Sequence, residues 1–341
     1  MKSSEIPVYF YLPPSTWPSA DILSSGTAGM SGSFKSSDWM WNTHWHWTLQ
    51  TYFWLRESGC SVHLVNAFPE AGIMVTCGVS ADFRPGPNLF VVSIAGDESP
   101  APYVQMHVVQ NRMETRLVSD SHYVPFWPQP GLIERDAARG EIFDTLAYFG
   151  DDKNIATELR SEEWSRFLAG RGINWQVRNA QSSRNADFSD IDAVISVRSF
   201  QRAGYIRKPA SKLINAWVAG VPSILGREIA FREQRLGPLD YIEIGSFDEA
   251  CAAVDRLAAS PELRRAMVVN GHRRAAEFSP ANIVNRWKEL LFDIAQRRAA
   301  RWFARSAAGR EAFFLRCLLE KKVRGAAHRT LRALGKEAYA I

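Results

Sequence analysis

Lys208-Pro-Ala-Ser-Lys-Leu-Ile-Asn-Ala-Trp-Val-Ala-Gly-Val-Pro-Ser-Ile-Leu-Gly226 is the stretch on which the fold turns. Pro209 suits the first position of a helix, where its missing N–H leaves nothing unsatisfied, and the helical pattern runs to Ala219. Gly220 suits the left-handed residue that follows a helix end. Pro222-Ser-Ile-Leu225 then reads as a short strand, and the apolar run Ile191–Val197 upstream reads as a strand buried on both faces. A strand, a helix and a second strand in such close succession imply a right-handed crossover and a parallel sheet.

The alternation extends in both directions. Upstream, Asp144–Phe149 is a strand ending at Gly150, followed by a helix from about Asn154 to Leu168 and the strand Asn174–Val177. Downstream come the strand Tyr241–Ile244 and three helices, Phe247–Ala259, Pro261–Glu277 and Pro280–Gln296. This is the doubly wound α/β pattern.

The first half reads as sheet-rich α/β with irregular connections. Pro7–Leu12 is a strand closed by Pro13-Pro14, and Asp21–Ser37 is a small-residue loop. Asp38 suits the N-cap of a helix from Trp39 to about Ser58, ended by Gly59. Ser61–Val65, Ile73–Cys77, Asn88–Ile94 and Tyr103–Val109 are short strands. The proline cluster Pro125–Gly131 fits neither a central strand nor a helix interior, and marks the crossing between domains. The division expected is 1–135, 136–296 and a basic helical tail, 297–341.

Composition narrows the function classes. Of 341 residues, 46% are hydrophobic and 23% charged, which excludes a disordered or low-complexity chain. No apolar run of about 18 residues is present to span a bilayer as a helix, and the polar Met1–Glu5 start does not read as a signal peptide. Cys60, Cys77, Cys251 and Cys317 are scattered without zinc spacing, so a reducing, cytoplasmic setting is expected. The net charge of +5 is uneven: residues 297–341 hold 12 Lys+Arg against 3 acids, and the first 296 hold 29 against 33. A partner inferred from charge is therefore a partner of the tail, and a nucleic-acid partner is not expected.

The start of the Pro209–Ala219 helix is the clearest chemical feature. Backbone amides at a helix start are unpaired donors in a positive field, and Ser211, Lys208, Lys212 and Arg207 add a hydroxyl and full charges. That combination suits a diphosphate, or else it is a plain surface helix start. The segment from Lys208 to Gly226, with Ala219-Gly-Val-Pro222 at the helix end, resembles the donor-binding signature of GT-B glycosyltransferases of group 1, the family 4-like type. The resemblance covers about 140–295 and implies two Rossmann-like domains facing each other across a cleft.

The resemblance implies a nucleoside diphosphate sugar as co-substrate, no further cofactor and no metal. It places Gly150 and Asn154 in a loop near the donor phosphates, and Arg198 beyond its strand either pairs a phosphate or is structural. The family's two donor-binding glutamates would fall near Arg207 and at Asn215, and neither position is acidic here. Asn215 is still able to hydrogen-bond a ribose or sugar hydroxyl. Glu228 and Glu233 are alternative carboxylates, or else belong to an exposed helix face. Asp190-Ile-Asp192 has the spacing of a metal–diphosphate motif but sits at the amino end of its strand, away from the site.

The acceptor, a saccharide or lipid-linked glycan, would meet the first domain's loops. His44 and Asp38 are the catalytic candidates there, with a structural histidine as the competing reading. The tail mixes arginines with Trp302, Phe303, Phe313 and Phe314, so it lies on an anionic membrane surface, at the inner face, or packs back on the body, or is an exposed solvated extension. Glycosyl transfer is thus the expected activity in polysaccharide biosynthesis. A non-catalytic carbohydrate-binding or assembly protein, and a nucleotide-sugar epimerase, are the alternatives.

Overall fold

The computed structural model describes residues 5–32, 42–179, 182, 184–201 and 205–333. Two parallel sheets organise it. The first holds six strands: β1 Val8–Tyr11, β2 Val62–Val65, β3 Gly72–Cys77, β4 Leu89–Ile94, β5 Met106–Val109 and β6 Ser121–Tyr123, in the order β2-β1-β3-β4-β5-β6. The second holds five: β7 Thr145–Phe149, β8 Asn174–Arg178, β9 Ala193–Ser196, β10 Ser223–Leu225 and β11 Ile242–Glu243, in the order β11-β10-β9-β7-β8. Each sheet winds outward in both directions from its first strand. Each therefore has a switch point, between β1 and β3 and between β7 and β9, where a crevice opens at the strands' carboxyl ends.

The strands form where apolar runs are uninterrupted: all six residues of β3 and of β4 are buried. Alternate residues go to opposite faces. Ile73, Val75, Val92 and Ile94 join the main core, while Met74, Leu89 and Val91 join a smaller cluster behind the sheet. Gly220 adopts φ +68° after the Ser211–Ala219 helix, as the sequence requires.

Several expectations change. Ala20–Gly32, expected as a loop, is helical with a break at Gly26; Ile22 and Met30 are buried, and the Glu57 carboxylate accepts the Thr27 amide at 2.7 Å just past the break. The expected Trp39 helix is helical from Thr43, with a wide-turned stretch Trp45–Leu49 before Gln50–Glu57. Asn42 Oδ1 accepts the Trp45 amide at 3.2 Å, a capping role expected of Asp38, which lies outside the described residues. The Asn154–Leu168 helix is instead two short turns and the helix Glu162–Ala169, because Asp151 caps the first turn and Ser161 caps the helix. The short strand β6 carries no apolar run and was not expected.

The largest change concerns the C-terminal helices. Residues from Pro280 onward, expected to close the second domain, pack on the first sheet: Ile283, Trp287, Leu291, Ala295 and Trp302 belong to the same core as β1, β3 and β4. Polar bonds fix the return. The Gln296 amide group bonds both ways with the Ile6 backbone at 2.8 and 2.9 Å, Lys288 donates to the Ser58 carbonyl at 3.2 Å, and Trp302 donates to the Gly86 carbonyl at 3.1 Å. The tail helix Ala307–Ala333 continues this packing through Phe313, Phe314 and Cys317. Among the described residues no helix is long and apolar enough to cross a membrane. Trp287→Ala is expected to destabilise the chain by about 3–5 kcal/mol through the cavity it leaves, read as a lower urea midpoint. Loss of first-domain structure should accompany it.

Candidate functional site

The Ser211–Ala219 helix opens onto the crevice at the β7/β9 switch point. It begins at Ser211 rather than Pro209; Ala210 takes the capping position, and no side chain caps the helix start. A cavity of about 380 Å³ lies there. Of the residues singled out from sequence, Gly150, Asn154, Arg198, Lys208, Ser211, Lys212 and Asn215 all line it. His46, Asp97 and Phe126 reach it from the first domain, so the cavity lies between the two sheets.

Lys212 is the central cation. Its ammonium donates to the Tyr148 hydroxyl at 3.1 Å and lies 4.5 Å from that ring's centre. The Tyr148 hydroxyl in turn donates to the Asn154 carbonyl at 3.3 Å. Among the described residues Lys212 forms no ion pair with a carboxylate. Burial, and then repulsion from Arg198, push its pKa down to about 7. Gly150, at φ +137°, leaves the space beside it open: a Cβ there would lie 3.2 Å from the Tyr148 ring and 3.4 Å from the Lys212 ammonium. Phe149 and Phe188, stacked at 3.9 Å, form an apolar wall of the same cavity.

The other cations of the site already have partners. Arg198 pairs with Glu228, which is 2% exposed, and Lys208 reaches across to Asp97 at 2.5 Å. Arg178 is held by Asp190 at 2.5 Å. Two expected hydroxyl-binding residues are engaged elsewhere. Asn215 is buried and bonds Gln129 in both directions, accepting its amide at 3.1 Å and donating to its side chain at 3.2 Å. Glu233 accepts the Arg112 and Met113 amides at 2.6 Å each, clasping the first domain's Met113–Arg116 turn rather than facing the cavity. Glu228 does not line the cavity; one of its oxygens holds Arg198 and the other is buried without a partner. Asp192 is held by Arg135 and Arg139 and by the Asp144 and Thr145 amides, and Asp190 by Arg178 and Arg184. Both lie at the strand's amino end, as read from sequence.

His44 is in a different place. It lines a cavity of about 770 Å³ at the β1/β3 switch point, with Tyr11, Cys77 and Glu98. Its Nδ1 is buried with no hydrogen-bond partner, and burial holds its pKa below the ordinary histidine value against the opposing pull of Glu98. Asp38 lies outside the described residues. Sequence reasoning missed Tyr148, Gln129, Asp97 and the Phe149–Phe188 wall. Tyr148 and Phe149 were legible as the last residues of a buried strand before Gly150, but the partners from the first domain carried no local signal.

No protein-family model and no curated protein matches this chain. Solved structures do resemble it. AviGT4, a glycosyltransferase involved in avilamycin A biosynthesis, is 14% identical over 88% of this chain and 99% of its own, with a TM-score of 0.45. Anabaena HepE, solved with UDP and glucose, is 9% identical over 84% and 99%, at 0.43. A sucrose-phosphate synthase from Thermosynechococcus elongatus is 14% identical over 62% of this chain and 69% of its own, at 0.45. At these identities the likeness is one of layout and extends to no residue's role.

The lysine makes the site's pH response testable. A diphosphate bound beside Lys212 would raise its pKa, so binding should take up a proton. Affinity for a nucleoside diphosphate is then full below about pH 7 and falls by up to about tenfold per unit above it. Calorimetry in buffers of different ionisation enthalpy measures the proton uptake, and a flat profile would exclude the lysine. The chain itself has the α/β architecture expected from its sequence: two doubly wound parallel sheets, each with a cavity at its switch point.

Proposed function

We propose that this chain is a glycosyltransferase that moves a glycosyl group from a nucleoside diphosphate sugar to an acceptor hydroxyl on a saccharide or lipid-linked glycan, without a metal ion. The observation that carries the reading is Lys212: a half-buried cation with no carboxylate partner among the described residues, beside an uncapped helix start and an open glycine. An anion is the missing partner, and the cavity suits one attached to an aromatic base, for which Phe149 and Phe188 offer a wall.

In the reaction, the acceptor oxygen bonds to the anomeric carbon as the bond from that carbon to the diphosphate breaks. The electron pair leaves on the diphosphate, where the helix start and Lys212 stabilise the growing charge. The acceptor proton passes to His44, whose free Nδ1 and lowered pKa suit a neutral base near pH 7. An epimerase is disfavoured because Glu228 and Glu233, the carboxylates it would use on the sugar, are held by Arg198 and by backbone amides. A binding protein would have no use for an unpartnered histidine nitrogen at the facing cavity.

A panel of nucleoside diphosphates and their sugars should contain at least one that raises the melting temperature, and none doing so defeats the reading. Lys212→Ala should weaken the diphosphate roughly tenfold or more and the matching nucleoside little. Donor hydrolysis by the full chain separates an enzyme from a binding protein.

The tail supports peripheral contact with an anionic membrane, through different residues from those expected. Trp302, Phe313 and Phe314 are buried and unable to reach a bilayer. Leu315, Leu319 and Val323, 60–68% exposed, form a stripe along the outer face of the tail helix, flanked by Arg316 and Lys322. Co-sedimentation with phosphatidylglycerol vesicles, lost on Leu319→Asp and absent with phosphatidylcholine, is the expected result.

A further inference from the structure

The His44 cavity does not end at the first domain. Its wall of Val79, Glu98, Ser99 and Ala101 is shared with an adjoining groove of about 760 Å³. The far side of that groove is built from other parts of the chain: Arg207 from the second domain, and Lys321 and Arg324 from the tail helix. Three cations thus converge from two separate segments on one space. Glu98, on the shared wall, is the carboxylate among the groove's lining residues.

Among the described residues none of the three has an ion-pair or hydrogen-bond partner, and the Arg207 Nε is buried without one. Burial holds Arg207 below the ordinary arginine value, against the pull of the buried Glu114 carboxyl and with a smaller repulsion from Arg324. By contrast, Arg135 and Arg139 pair with Asp192, Arg274 with Asp240, and Arg316 of the same tail helix with Asp120. Cations left unmatched around a cavity are a preformed place for a multiply charged anion.

We propose that the acceptor carries a phosphate or diphosphate group, held in this groove by Arg207, Lys321 and Arg324 while its hydroxyl reaches His44. The tail helix is then part of the acceptor site. The word acceptor rests on the glycosyl-transfer reading; the anion site does not. The phosphate belongs either to a soluble phosphorylated saccharide or to a lipid-linked one, and both present the same group to the three cations.

The test is calorimetric titration of inorganic pyrophosphate into the full chain, into Lys212→Ala and into the double variant Lys321→Gln/Arg324→Gln. Both substituted tail residues lie on a helix surface, and an unchanged melting temperature checks that the double variant folds. The wild type should show two sites. Lys212→Ala should remove one and the double variant should weaken the other roughly tenfold or more. Two unaltered sites in the double variant, or no second site in the wild type, overturn the proposal while the donor reading stands on Lys212→Ala. Loss in the double variant with no change in Lys212→Ala supports the groove and defeats the donor reading instead. Methyl phosphate against decyl phosphate then assigns the source. A large gain for the decyl chain that disappears in the double variant assigns a lipid-linked acceptor, and equal affinities assign a soluble one.

Discussion

Burial of Trp287, Leu291, Ala295 and Trp302 against the first sheet is the contact on which the molecule's arrangement depends. The face bearing Ile73, Val75, Val92 and Ile94 is too apolar to leave in water, and the Gln50–Glu57 helix covers it only in part. The chain supplies the rest by crossing back after the second sheet is complete. One crossing near Pro125–Gly131 and another near Pro280 then tie the two sheets together at both ends of the second domain. Across the gap run finer fastenings: Asn215 with Gln129, Glu233 with the Arg112 and Met113 amides, and Lys208 with Asp97. This framework holds the second sheet's cavity against His46, Asp97 and Phe126 of the first domain.

Electrostatics within that framework are economical. Several buried or half-buried cations are matched to carboxylates at short range, as with Arg178 and Asp190 or Arg274 and Asp240. Such pairs add little net stability once desolvation is counted, but breaking one leaves a buried charge exposed to its full cost. Against that background an unmatched cation is informative. Lys212 is one, at the second sheet's cavity; Arg207, Lys321 and Arg324 are others, at the groove beside the first sheet's. Arg207 was expected with Lys208 and Lys212, yet it lines the groove beside the first sheet's cavity instead.

What was legible in the sequence was local. The apolar runs at 145–149 and 193–196 and the glycine at 220 are properties of a few neighbouring residues, and the elements follow directly. The gathering of Gly150, Arg198, Lys208, Ser211 and Lys212 was also legible, because strand ends and helix starts in a parallel sheet share one edge. What failed was tertiary. Nothing in Asn215 or Glu233 tells that Gln129 or the Arg112 amide will claim it, and the Pro280 helix has the same amphipathic pattern whichever sheet it covers. Small residues misled over Asp21–Gly32 because their helix is held from outside, by Glu57.

The bond between Ile6 and Gln296 joins residues 290 apart in sequence. As the chain emerges from the ribosome, the second sheet and its helices, contiguous from Thr145 to Phe278, are available together and have their partners close at hand. The first sheet, although made earlier, waits for Trp287 and Trp302 before its core is complete. The order of synthesis is thus the reverse of the order in which the domains can close, and in the interval β3 and β4 leave an apolar face uncovered. A truncated product ending before Pro280 would keep that face exposed permanently, so incomplete chains are marked for capture by chaperones or for degradation.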